Sequence, residues 1–82
     1  MSPTVFKEGR FRFYFFSREE PRPHVHVASP DGEAKLWLDP LGELARSHGL
    51  TEQDIREIRQ TLERRQQEVR DAWNEHFGSF GS

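Results

Sequence analysis

The sequence predicts an α+β protein of two layers, in which a four-stranded antiparallel sheet made of two hairpins is covered on one face by a long C-terminal helix. Residues 4–39 contain four short runs rich in β-branched and aromatic residues, separated by Gly, Pro and Asp residues that favour turns. Residues 51–77 carry apolar side chains at helical spacing. The 82 residues are enough for one modest core. Residues 1–82 are therefore predicted to form a single domain.

The composition excludes several classes of protein. The chain has no cysteine, so it has no disulfide, no thiolate metal site and no cysteine nucleophile. Its net charge of −2 provides no overall attraction to nucleic acid. The longest apolar run, residues 13–16, is too short to cross a bilayer, and the first residues lack the layout of a signal peptide. We expect a cytoplasmic protein with no membrane partner.

The first hairpin is predicted to pair residues 4–7 with residues 10–16 around a Glu8-Gly9 turn. This register sets Lys7 opposite Arg10. One face then carries Phe6, Phe11, Phe13 and Phe15, whereas the other carries Lys7, Arg10, Arg12, Tyr14 and Phe16. A bulge at Gly9 would change this register.

The second hairpin is predicted to pair residues 24–28 with residues 33–38 around a four-residue turn at 29–32. His24 then faces Trp37, and His26 faces Lys35. The apolar side chains of both strands fall on one face: Val25, Val27, Ala34, Leu36 and Leu38. The polar and aromatic side chains fall on the other: His24, His26, Lys35, Trp37 and Asp39. The alternation in the two strands agrees, which favours this register.

The second half of the chain is predicted to be helical. A short helical turn is expected at residues 43–48, ended by Gly49. Thr51 then caps a long helix that runs to Phe77, with Asp54 completing a capping box. Its apolar stripe consists of Ile55, Ile58, Leu62, Val69, Trp73 and Phe77. Residues 78–82 are predicted to be a mobile tail.

The length of the predicted helix raises the question of what covers its far end. A helix of this length would measure about 39 Å, whereas a seven-residue strand spans about 23 Å. Either the helix crosses the sheet diagonally, or Trp73 and Phe77 contact a second chain, which would make a homo-oligomer or a complex with another protein. Both explanations stay open.

The polar side of the predicted sheet combines imidazoles, cations and aromatic rings, as in sheets that bind RNA. One imidazole would take a proton from a 2′-hydroxyl, another group would protonate the leaving oxygen, and a cation would stabilise the charge on phosphorus oxygens. The candidate catalytic residues are His24, His26 and Lys35. The candidate RNA-binding residues are Arg10, Arg12, Tyr14, Arg22 and Trp37. Glu20 is a candidate for orienting one of the imidazoles.

Two other interpretations of the histidine pair remain open. His24 and His26 lie on the same side of a strand and would form a metal site if a third ligand joined them, for which the candidates are Asp39, Glu20, His48 and His76. No third ligand stands at a diagnostic spacing, and we predict no metal and no cofactor. The other interpretation is a solvated face on which Trp37 lies across the imidazoles and Lys35.

Several motifs resemble a family of short prokaryotic proteins, the domain-of-unknown-function family four-one-six-zero. They are P-T-V-F at 3–6, Gly9-Arg10-Phe11, E-P-x-P-H-V-H-V at 20–27, E-A-K-x-W-L at 33–38 and W-x-E-x-F at 73–77. Arg22, between two prolines, departs from the plainer E-P-P-H form of that family. The motifs point to Glu20, His24, His26, Lys35 and Trp37.

The resemblance implies one half of a two-gene toxin-antitoxin-like cassette, with a cognate small protein as partner and RNA as the target of a toxin. Together with the residues, it leads to the prediction of a toxin-antitoxin-like component that engages RNA through the polar side of the sheet, with metal-independent ribonuclease activity. A non-enzymatic protein-interaction module and a small metal-binding domain are the alternatives.

Overall fold

Five antiparallel strands followed by two helices make up the α+β fold of the computed structural model, which describes residues 4–15 and 22–77. The strands lie in the sheet in their order along the chain, so each pairs with its neighbours in sequence. They are β1 (Thr4–Glu8), β2 (Phe11–Tyr14), β3 (His24–Ala28), β4 (Glu33–Leu38) and β5 (Leu41–His48), and the helices are α1 (Glu52–Arg64) and α2 (Gln66–Phe77). Glu20 and the predicted mobile tail at 78–82 lie outside the described residues.

The fifth strand corrects the predicted short helix at residues 43–48. Its Leu, Glu, Ala and Arg residues favour a helix locally, but pairing with β4 overrides that preference. Two register shifts in the β4–β5 pair leave Gly42 and Ala45 as extra residues. With these bulges, Leu41 and Leu44 both pack against the core. The prediction of four strands was therefore wrong by one.

The first hairpin turns one residue later than predicted. Glu8 pairs with Phe11 and Lys7 pairs with Arg12, so the turn is Gly9-Arg10. Gly9 has φ +60° and occupies the first central position, where a type II′ turn takes glycine. Because the register changes by two residues, the faces are preserved, and the prediction that four phenylalanines share one face is confirmed by their burial in one core: Phe6, Phe11, Phe13 and Phe15.

The second hairpin has the predicted register. His24 pairs with Trp37, His26 with Lys35 and Ala28 with Glu33. The Ser29 amide donates to the Gly32 carbonyl over 2.9 Å, which closes the turn. Val25, Val27 and Leu36 are fully buried on the apolar side.

The start of α1 confirms the predicted capping box. The Thr51 hydroxyl accepts a hydrogen bond from the Asp54 amide over 3.1 Å, and an Asp54 carboxylate oxygen accepts from the Thr51 amide over 3.0 Å. The hydrogen bond that the Asp54 carboxylate accepts from the Thr51 backbone is the main cause that lowers the pKa of Asp54, and a hydrogen bond from Arg10 adds to it. α1 then buries Ile55, Ile58 and Leu62 against the sheet.

The single long helix of the prediction is two helices, separated at Arg65. This residue has φ −114° and ψ 26°, outside the helical range, although no Gly or Pro stands near it. The Cα atoms span 33 Å along the longest axis, so a straight helix of about 39 Å would extend past the rest of the chain. The break lets α2 bring Val69 and Trp73 back into the core. Within the described residues, neither helix combines the length and apolar character needed to span a bilayer.

A carboxylate at the end of β1 ties the sheet to the region of the break. Glu8 accepts hydrogen bonds from the Thr61 hydroxyl at 3.1 Å, from Arg65 at 3.1 Å and from Arg64. The Arg65 guanidinium also lies 3.7 Å from the centre of the Phe6 ring. Mainly through the hydrogen bond from Arg64, this environment lowers the pKa of Glu8 from 4.5 to about 2.

Replacing Glu8 with glutamine is expected to lower the melting temperature by a few degrees at pH 7. Because the pKa of Glu8 is lower in the folded chain than in the unfolded one, its stabilising contribution is present above pH 4.5 and is lost as the pH falls toward 2. The melting temperatures of the two proteins should therefore converge over that interval. Thermal denaturation across the pH range measures this, with Glu63→Gln on α1 as the control. A difference that persists unchanged to pH 2 would contradict the assignment.

Candidate functional site

The polar side chains of β2, β3 and β4 alternate with the side chains that pack in the core between sheet and helices, and at one end of this side His24 lies against Trp73 of α2. We call this surface the polar face and define it by Arg12, Tyr14, His24, His26, Lys35 and Trp37. Tyr14 pairs with His26, and His26 pairs with Lys35, so the three side chains form a row across three strands. Their alternation with buried Val25, Val27 and Leu36 puts them on the same side.

A cavity of about 260 Å³ opens on the polar face toward β5. We call it the polar pocket, and it is lined by Tyr14, His26, Glu33, Ala34, Lys35, Arg46, Ser47 and His48. Lys35 pairs with Arg46, and Glu33 pairs with His48, so β5 adds a cation and an imidazole to those of β3 and β4. The pocket thus contains two imidazoles, two cations and one carboxylate.

The inner wall of the polar pocket is packed and the outer wall is open. His26 is 4% exposed and stacks on Tyr14 with ring centres 5.4 Å apart. The Arg12 guanidinium lies 4.6 Å from the centre of the Tyr14 ring, and its Nε donates to the Thr4 hydroxyl over 3.0 Å. In contrast, Arg46 and His48 are exposed. A ligand would therefore meet exposed side chains from β5 and a packed row from β2, β3 and β4.

His24 is placed apart from the polar pocket, at the start of β3. It is 1% exposed, and its ring lies 5.3 Å from Trp73, 5.8 Å from Trp37 and 5.2 Å from His26, measured between ring centres. Its Nδ1 lies 2.6 Å from the Arg22 carbonyl. A carbonyl can only accept a hydrogen bond, so Nδ1 carries the proton. His24 is thus a packed residue that supports His26, and it does not line the pocket with it.

Trp37 and Arg22 form the other end of the polar face. The Arg22 guanidinium lies 4.0 Å from the centre of the Trp37 ring, and Lys35 Nζ lies 4.7 Å from it on the pocket side. Arg22 also donates to the Asp39 carbonyl over 3.1 Å and pairs with Glu43 at 3.3 Å. The half-buried indole is therefore held between two cations.

Arg10 is not on the polar face, contrary to the prediction. The turn at Gly9-Arg10 directs its side chain toward α1, where it pairs with Asp54 and, at 2.6 Å, with Asp31. The reason is the register of the first hairpin, which puts Arg10 in the turn instead of in β2. Arg10 therefore holds the β3–β4 turn against the start of α1.

Among the pocket residues, the sequence prediction missed Arg46 and named His48 only as a candidate metal ligand. They alternate along β5, two residues apart, which is the spacing of side chains on one face of a strand. This two-residue alternation can be seen in the sequence of residues 41–48. Because that segment was predicted to be helical, the two side chains were not assigned to one face of a strand. Glu20, the predicted orienting carboxylate, lies outside the described residues, and Glu33 is the carboxylate that lines the pocket.

The predicted ligands of a metal site are not brought together in the part of the chain that the structure describes. Among residues 4–15 and 22–77, no group of three His, Asp or Glu side chains could hold a metal ion. His48 lines the polar pocket, whereas His76 lies on α2 beside Phe15, with ring centres 6.3 Å apart.

Trp73 and Phe77, predicted to be either core or partner contacts, have neighbours within the chain. Trp73 is 3% exposed and packs edge-on against Phe15, with ring centres 5.4 Å apart. Phe77 is half-buried and lies 4.1 Å from Trp73 between ring centres. Contact of these residues with a second chain stays a prediction.

The fold and the polar pocket define a small α+β protein whose antiparallel sheet carries a cavity lined by histidine, lysine and arginine. Residues 10–74 match the family described as Domain of unknown function (DUF4160), and the chain belongs to this family, as its motifs predicted. Comparison with the curated proteins found no match, and neither did comparison with the solved structures.

Proposed function

We propose that this chain is a toxin-antitoxin-like component that engages RNA through its polar face and holds a phosphate group of the RNA in the polar pocket. The observation that carries the proposal is the gathering of His26, Lys35, Arg46 and His48 around one cavity of about 260 Å³. This volume is slightly below the ~300–1,000 Å³ of typical small-molecule sites. It suits a phosphate and part of a ribose better than a whole cofactor.

Cations beside aromatic rings support RNA as the ligand. Lys35 and Arg46 supply positive charge inside the pocket, and an arginine fork can bind two phosphate oxygens at once. Trp37, half-buried at the end of the row, would stack on an unpaired base if the base took the place of the Arg22 guanidinium on its ring. The net charge of −2 means that this attraction is local. Single-stranded RNA fits this arrangement, because its bases are free to leave the stack.

The pair of imidazoles supports ribonuclease activity without a metal. Attack of the ribose 2′-oxygen on phosphorus breaks the bond to the 5′-oxygen and leaves a 2′,3′-cyclic phosphate and a 5′-hydroxyl. One of His26 and His48 would take the proton of the 2′-hydroxyl, and the other would return a proton to the 5′-oxygen. Lys35 and Arg46 would stabilise the charge that develops on the other phosphorus oxygens. Histidine suits both roles because its ordinary pKa lies near ~6.5.

Replacing His48 with alanine is expected to reduce cleavage of a single-stranded oligoribonucleotide by about 100-fold or more, which is the usual contribution of a general acid or base. His48 is exposed, so the change leaves the fold intact. Detection of a 2′,3′-cyclic phosphate end identifies the chemistry. The matched control is His76→Ala on α2, which should cleave as the unchanged protein does. Equal cleavage by both variants would remove the catalytic assignment.

RNA binding can be tested apart from cleavage. The probe carries a 2′-deoxy nucleotide at the scissile position, so it has no 2′-hydroxyl to react there, and the variant replaces Arg46. Arg46→Ala should weaken binding and should make the negative slope of log K against log salt shallower by about 0.7, the value for one phosphate contact of a single strand. Arg56→Ala on α1 is the control. An unchanged slope with Arg46→Ala would count against phosphate binding in the pocket.

A further inference from the structure

A second concave surface lies on the opposite side of β5 from the polar pocket, between this strand and α1. Its volume is about 450 Å³. We call it the β5–α1 groove, and it is lined by Leu44, Ser47, Leu50, Thr51, Glu52, Ile55, Arg56 and Arg59. The proposed RNA site uses none of these residues except Ser47, which borders both cavities.

The strand that borders the groove is an edge strand. β5 has eight residues and is last in the order of the sheet, so it pairs with β4 on one side, and no other strand of the described residues pairs with its second side. Its residues 45–48 are exposed. An edge of this kind presents backbone N–H and C=O groups to which an extended segment can add. At the start of the strand, Arg59 Nε donates to the Gly42 carbonyl over 2.9 Å, so the available edge begins after Gly42.

The floor and the helical wall of the groove differ in character. The floor is aliphatic, with half-buried Leu44 and Leu50 and with Ile55 that is 8% exposed. The wall carries Arg56 and Arg59, both exposed, against a single carboxylate, Glu52. Arg59 is held in place by its bond to Gly42. The lining therefore complements an apolar side chain beside acidic ones.

We infer that the β5–α1 groove binds an extended acidic segment of a partner protein, which adds to β5 as a further strand and places an apolar side chain on Leu44, Leu50 and Ile55. An aliphatic floor and a strand edge match a peptide backbone. The lining contains no aromatic ring on which a base could stack, so RNA fits this groove less well than the polar face. The groove and the polar face would thus serve two different ligands on opposite sides of one strand.

The first experiment measures fluorescence anisotropy of a labelled octapeptide mixed with the full chain. Its odd positions are valine and glutamate in turn and its even positions are threonine, so valine and glutamate project from the same face of an extended strand. The comparison peptide has lysine in place of glutamate and the same length. The acidic peptide is expected to bind at least tenfold more tightly, because Arg56 and Arg59 attract it and repel the other. Equal affinity for the two peptides, or no binding of the acidic one, would overturn the inference.

Addition of the peptide as a strand is tested by changing the peptide, so the protein itself carries no substitution that could disturb its fold. Alternate amides of an extended peptide point to opposite edges, and N-methylation removes them as donors. Two versions of the acidic peptide, methylated at the odd or at the even residues, should differ at least tenfold in affinity, because only one edge faces β5. Equal affinity of the two versions would exclude backbone pairing.

Two charge reversals on opposite sides of β5 separate this inference from the proposed function. Arg56→Glu in the groove should weaken binding of the acidic peptide about tenfold and leave RNA binding unchanged, whereas Arg46→Glu in the polar pocket should do the reverse. Loss of RNA binding with Arg56→Glu would instead assign the groove to RNA. A peptide-free dimer in light scattering that Arg56→Glu dissociates would assign it to a second copy of the chain. Either result overturns the inference.

Discussion

Replacing Trp73 with alanine is expected to lower the free energy of unfolding by about 3–5 kcal/mol, the usual cost of removing a buried tryptophan or phenylalanine. Trp73 of α2 is 3% exposed. Its ring contacts Phe15, which follows β2, and His24, the first residue of β3. Its removal would leave a cavity between the two layers. Because domains of this kind are stable by only about 5–15 kcal/mol, a large part of the total would be lost.

Urea denaturation monitored by circular dichroism measures this loss, with Phe77→Ala as the matched control. Phe77 is half-buried, so its removal should cost clearly less. If Trp73 instead served a contact with a second chain, the loss of stability would depend on protein concentration. A loss that is the same at all concentrations supports packing within one chain. A loss no larger than that of Phe77→Ala would contradict the placement of Trp73 in the core.

Replacing Gly49 with alanine is expected to lower the free energy of unfolding by about 2–5 kcal/mol, because two costs add. Gly49 has φ +78°, a left-handed conformation that costs an alanine roughly 1–2 kcal/mol. A Cβ at this position would also lie 2.4 Å from the Asp31 carbonyl oxygen, and overpacking costs about 1–3 kcal/mol. The end of β5 therefore touches the β3–β4 turn backbone to backbone.

Two other glycines separate these costs. Gly9 has φ +60° with open space around it, so Gly9→Ala should show the conformational cost alone. Gly32 has no positive φ, but a Cβ there would lie 2.0 Å from the His48 carbonyl oxygen, so Gly32→Ala should show the clash alone. Denaturation curves of the three variants test this order, and Gly49→Ala should be the least stable. Equal stability of Gly9→Ala and Gly49→Ala would mean that the β3–β4 turn moves away from the methyl group of Ala at position 49, so the predicted clash with Asp31 costs nothing.

The contact between these glycines also bears on the polar pocket. A methyl group at Gly32 would push against the backbone of His48, which lines the pocket together with Arg46. If the polar pocket binds RNA as proposed, Gly32→Ala should weaken that binding as well as lower stability. From the sequence, Asp31-Gly32 was interpreted only as a turn, because nothing along the chain indicates which segment approaches it from outside.

Sequence patterns predicted the second hairpin fully, since its two strands alternate in phase and each constrains the register of the other. They also predicted the cap of α1, because a capping box is a local motif of four residues. The same alternation predicted that Tyr14, His26 and Lys35 share one face, whereas the pairing of Tyr14 with His26 was not predicted. These features depend on contacts between residues that are near in sequence or paired through a short turn.

The errors concern segments whose local preference yields to distant contacts. Residues 41–48 have a helical composition and become a strand because β4 offers an edge to pair with. The C-terminal helix breaks at Arg65, where Glu8 and Phe6 of β1 bind the arginine side chain. Arg10 lies in the turn of the first hairpin instead of on the polar face, and there it pairs with Asp31 and Asp54 from segments remote in the chain.

By itself, the sequence determined that the chain forms an α+β protein of this family. It also determined which side of the second hairpin is polar. Both follow from strand alternation and helical spacing, which depend only on residues that are close together in the sequence. Only the tertiary structure decided that β5 completes the polar pocket with Arg46 and His48 and that His24 is sealed beneath Trp73. The physical reason is that burial and pairing energies between distant segments exceed the local preferences of the residues that they join.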